Sequence, residues 1–181
     1  MVRDKHSFEG VTTVLCVRPG VNTYGVKEQV MTGVAFVEIV PELKLKAFLS
    51  CEPVDNFLVY VQKLKEWGIQ DTDKVLGIIE DHHFQPSIIK RMAQEMQRWK
   101  DALQVFGFDS MKITQAQWEG YFPEMQEYKR RVSKLITKVV FAKIFEMDAK
   151  HIPVNAMQAA LMGAAAQQFL PKSPIRRLAD G

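Results

Sequence analysis

Cysteine is scarce in this chain. Only Cys16 and Cys51 occur among 181 residues, and no Cys-x-x-Cys spacing is present, which excludes a zinc ribbon and a thioredoxin-type redox pair. Both read as packed thiols, with a single disulfide between them left open. Also missing are a glycine-rich phosphate loop, a Gly-x-Ser-x-Gly elbow and a His-Glu-x-x-His helix, so none of the common hydrolase signatures is available. Arg3, Asp4, Lys5, His6 and Glu9 interrupt the first ten residues, which therefore lack the apolar stretch of a secretory signal and imply a cytoplasmic setting. One long uncharged run exists, the 20 residues from Ile152 to Pro171. Asn155, Gln158, Gln167, Gln168 and the weakly apolar alanines make it a poor membrane span, so no membrane partner is expected.

What remains is the composition of an ordinary globular chain, 47% hydrophobic and 25% charged. Its length suits a single domain over residues 1–170 followed by a flexible basic tail over 171–181. Two periodicities divide that domain at Cys51-Glu52-Pro53. Val11 to Val17 is a β-branched run stopped by Arg18-Pro19-Gly20, Val30 to Val40 is a second run closed by Pro41, and Leu43, Leu45, Ala47 and Leu49 alternate with Lys44, Lys46 and Phe48. The expectation is an α+β fold in which a small three-stranded antiparallel sheet, residues 11–50, packs against a bundle of five or six helices over residues 53–170.

The helical spacing predicts segments over about Val54 to Trp67, Thr72 to His82, Ser87 to Phe106 and Pro123 to Met147, with a last one over Pro153 to Leu170. Thr114-Gln115-Ala116-Gln117 has the form of a capping box. Apolar seams on the third helix (Ile89, Met92, Met96, Trp99, Leu103) and the fourth (Met125, Tyr128, Val132, Leu135, Val139, Ala142) match, predicting antiparallel packing of the two. The last helix holds six alanines and Gly163, suited to close approach in the core.

Charge is unevenly placed. From Lys129 to Lys143 there are six basic residues and no acidic one, a local +6 against +3 for the whole chain. Arg130, Lys134 and Lys138 recur every four residues and fall on one helix face, with Arg131 beside them and Arg176 and Arg177 in the tail. Like charges at that spacing repel, and an anionic partner that displaces their counterions relieves the repulsion. These six residues are the candidate contacts of a non-enzymatic binding or regulatory module, with nucleic acid as the leading partner and an acidic protein surface next. No cofactor is implied, and self-association is left open. The short helix, turn and longer helix around His83 to Pro86 have the outline of a helix-turn-helix whose reading positions would be Ser87, Lys90, Arg91 and Gln94. Two other readings compete. One is a protein adaptor or assembly protein using the Ala- and Met-rich helices. The other is a metal-dependent hydrolase around Glu80-Asp81-His82-His83, the densest run of ligand-type side chains.

Overall fold

The computed structural model describes residues 10–20, 31–81, 86–127 and 133–170. The three expected strands are present as β1 (Thr13–Arg18), β2 (Thr32–Glu38) and β3 (Lys44–Cys51), paired antiparallel in sequence order. The sheet is larger than expected, however. β4 (Val75–Asp81) and β5 (Ser110–Thr114) extend it, both in parallel pairing, to a five-stranded mixed sheet of order β3-β2-β1-β4-β5.

The small antiparallel meander is therefore incorrect, and the reason lies in residues 75–81. Val75 to Glu80 are buried without interruption because helices cover both faces of β4. A strand buried on both sides carries a continuous apolar run in place of alternation, and the three-and-four spacing within that run resembles a helix face. With β4 a strand, the first helix of the proposed helix-turn-helix does not exist, and that outline falls.

Six helices lie among the described residues: α1 (Leu58–Glu66), α2 (Pro86–Val105), α3 (Gln115–Glu119), α4 (Pro123–Glu127), α5 (Ser133–Phe145) and α6 (Val154–Phe169). They sort into two layers. On one face, Leu15, Val17, Val34 and Ile79 meet Tyr60, Val61 and Leu64 of α1 and Met92, Met96, Trp99 and Leu103 of α2. On the other, Val14, Cys16, Ala35, Val37, Leu76 and Ile78 meet α6, and Trp118 of α3 and Val140 and Phe141 of α5 belong to the same layer. The expected pairing of the third and fourth helices is thus absent, since α2 and α5 belong to opposite faces. Leu135 and Val139, 60% and 56% exposed, lie outside the buried side of α5, which is formed by Thr137, Val140, Phe141 and Phe145.

Alanine-rich α6 occupies the centre of its layer, as expected. Ala159, Ala160, Leu161, Met162, Ala164, Ala165 and Ala166 are all buried, so these residues are core and present no surface to an adaptor's partner. Met92, Met96 and Met157 are buried likewise. Small residues let α6 lie against the strands: a Cβ on Gly163 would stand 2.8 Å from Val37 Cγ2, and one on Gly33 of β2 would stand 2.4 Å from the Asn155 carbonyl oxygen. No helix among the described residues is long and apolar enough to cross a membrane.

Candidate functional site

Side chains alternate along a strand, so Val14, Cys16 and Arg18 of β1 and Leu76, Ile78 and Glu80 of β4 all face α6. The two strands run parallel with Val17 opposite Ile79, which brings Arg18 and Glu80 side by side at their carboxyl ends. That is the edge of an open α/β sheet where ligands usually bind.

Glu80 is fully buried and Arg18 is 20% exposed; Arg18 Nε donates to Glu80 Oε1 at 3.0 Å. The other carboxylate oxygen, Oε2, accepts from Trp118 Nε1 at 2.6 Å. Arg18 Nη2 donates to Gln115 Oε1 at 3.3 Å, and Nη1 donates to Gln158 Oε1. Gln115 is held in turn, its Nε2 donating to Glu119 Oε1 at 2.6 Å. Behind this arrangement is the expected capping box, in which Thr114 Oγ1 accepts from the Gln117 backbone N–H and Gln117 Oε1 accepts from that of Thr114. It turns the chain from β5 into α3 and so aims Gln115 and Trp118 at the strand ends.

A buried carboxylate requires a charged partner and further hydrogen bonds. Here Arg18 supplies the charge. Hydrolysis of phosphodiesters by paired metal ions needs several carboxylates around the ions. This donor set does not fit that chemistry: its central acid already accepts from Arg18 and Trp118, the other oxygens on Arg18 are those of two amides, and no group of three metal-ligand side chains exists among the described residues. Of the run proposed for a hydrolase, Glu80 lies in this cluster, Asp81 points to the α2 face, and His82 and His83 lie outside the described residues.

A second buried carboxylate sits across the sheet. Glu95 of α2 accepts from Tyr60 Oη (2.7 and 2.8 Å), Thr32 Oγ1 (2.5 Å), Trp99 Nε1 (3.4 Å) and Arg98 Nη1 (3.2 Å). Thr32 Oγ1 accepts from Gly20 N–H just beyond β1, so this cluster ties α1, α2 and β2 to the same strand end. Burial, together with the hydrogen bond to Glu95, pushes the Tyr60 phenol well above its ordinary range.

Of the basic candidates, Lys134 and Lys138 are exposed on α5. Arg130, Arg131, Arg176 and Arg177 lie outside the described residues. Lys143 pairs with Glu124 at 3.0 Å. Arg18, Gln115, Trp118 and Gln158 were not singled out from sequence, although one signal existed: Arg18 is a charged residue in phase with the core-facing Val14 and Cys16. Cys16 and Cys51 are both free thiols.

The sequence matches no protein-family model and no curated protein. Its fold does have solved counterparts. Thermus thermophilus RuvC in complex with a Holliday junction substrate is 12% identical, with a TM-score of 0.59 over 87% of this chain and 95% of that one. A further Thermus thermophilus RuvC structure is 13% identical, with a TM-score of 0.56 over 86% and 95%. The fold is thus RuvC-like, and at these identities the likeness concerns the fold alone.

Proposed function

We propose that this protein binds nucleic acid, with branched or duplex DNA as the leading ligand, and does so without cleaving it. The likeness in fold, over 87% of this chain, to a protein solved in complex with a Holliday junction substrate supports the binding half of this reading. Two features of the chain itself agree with it. Lys134 and Lys138 are exposed one turn apart, with a rise of about 6 Å between them, so the pair offers two neighbouring positive charges to the backbone of a nucleic acid. Arg130 and Arg131 precede them in sequence, and the tail adds Arg176 and Arg177. The non-catalytic half rests on the strand-end cluster, where Arg18 pairs with the buried acid and donates to the amide oxygens of Gln115 and Gln158.

The test is fluorescence anisotropy with a labelled four-way junction and a matching duplex at 50 and 200 mM salt, followed by a cleavage assay of the same junction in Mg²⁺ or Mn²⁺. Each phosphate contact contributes about 0.9 to the slope of log affinity against log salt. K134Q/K138Q is therefore expected to flatten the slope by about 1.8, so that its disadvantage to the natural chain is about 12-fold larger at 50 than at 200 mM. Salt-independent binding, or none, would refute the binding half. Cutting of the bound junction would refute the other.

A further inference from the structure

Three side-chain oxygens converge on the Arg18 guanidinium: Glu80 Oε1 from β4, Gln115 Oε1 from α3 and Gln158 Oε1 from α6. One is charged and two are amide carbonyls. Two of the three are fixed from behind by groups other than Arg18, through Trp118 Nε1 on Glu80 and Glu119 on the Gln115 amide. Carboxylate and carbonyl oxygens in a prearranged cradle are the donors that hard divalent cations take, the ion completing its shell with water. We infer that the carboxyl end of β1 and β4 is a cation cradle, and that Arg18 is its resident cation, tethered to the chain in place of a divalent ion.

The inference deepens the non-catalytic half of the proposed function, giving it a physical origin in one residue. It also makes a claim independent of nucleic acid. R18D removes the tethered charge and sets a second carboxylate beside Glu80. Two adjoining acids in a site that admits little solvent repel one another until a proton or a cation joins them, so at neutral pH the variant should gain a binding site for one divalent ion.

Mn²⁺ is the probe, titrated calorimetrically into the full chain in the absence of DNA, with melting temperature followed in parallel. R18D should bind one Mn²⁺ per chain and melt higher in millimolar Mn²⁺. The natural chain and R18K, which retains a positive charge, should do neither. R18D/E80Q should bind at least about tenfold more weakly than R18D. Equal Mn²⁺ affinity in R18D and the natural chain would overturn the inference, as would an R18D chain that gains no stability from the ion or fails to fold even with it. Because ion binding is read without nucleic acid, such a failure would leave the proposed DNA binding standing.

Discussion

Gly163 sits in the middle of α6, where helix propensity alone favours alanine by about 1 kcal/mol. Packing opposes that preference. An added Cβ would lie 2.8 Å from Val37 Cγ2, 2.9 Å from Val37 Cβ and 3.1 Å from Cγ1. Rotating χ1 of Val37 moves its two methyl groups but not its Cβ, which is fixed to the backbone of β2, and Val37 is fully buried with nowhere to withdraw. Relief therefore requires α6 to lift from β2, against overpacking costs that run to about 3 kcal/mol. After the propensity gain, G163A should lose about 2 kcal/mol. In a domain of this size that lowers the melting temperature by roughly 4–8 °C. Thermal and urea melts followed by circular dichroism measure it, and V37A/G163A, which reopens the space, should be less destabilised than the sum of its two single substitutions. If G163A melts higher than the natural chain, or the double variant is simply additive, the packing argument is wrong.

Two further outcomes follow from buried polar groups. W118F removes the 2.6 Å donor to Glu80 Oε2 in a fully buried site, and loss of a hydrogen bond to a charged group should cost about 1.5–3 kcal/mol, visible as a shift in urea midpoint with unchanged slope. Thiol reactivity should be low and graded. Burial pushes the Cys16 thiol far up, while Cys51 is pushed up to about 11 by burial and by the nearby Glu95 carboxylate, partly offset by Lys63. Because the thiolate is the reactive form, at pH 8 iodoacetamide should label Cys51 slowly and Cys16 only on unfolding; fast labelling of Cys16 in the native chain would contradict its placement.

The antiparallel half of the sheet was legible because β1 to β3 carry their signals locally, in β-branched runs and in the alternation of Lys44 to Leu49. The caps of α3 were legible for the same reason, since Thr114 and Gln117 bond each other within one turn. β4 was not, because its apolar residues are dictated by layers on both sides that only the finished fold brings together. β5 is five residues long, with just Met111 and Ile113 marking its inner face. The site was hidden for a related reason: Arg18, Glu80, Gln115 and Gln158 are distant in sequence and meet only through the parallel pairing of β1 with β4. Arg18 also stands before Pro19-Gly20, where it reads as part of a turn. Glu95, by contrast, was within reach, since it falls three residues after Met92 and four before Trp99, in phase with the buried ridge of α2.

The division of the interior by the sheet has a consequence for how the sequence can change. Val37 and the α6 residues around Gly163 belong to one set of buried side chains, Tyr60, Trp99 and Leu103 to the other, and among the described residues the two form separate clusters on opposite faces of the sheet. Substitutions without shared partners combine additively. Each face of the sheet can therefore drift, or be redesigned, as if the other were constant. The exception is the carboxyl end of β1, where Arg18 and Gly20 anchor the polar clusters of opposite faces two residues apart, and a change in one layer reaches the other.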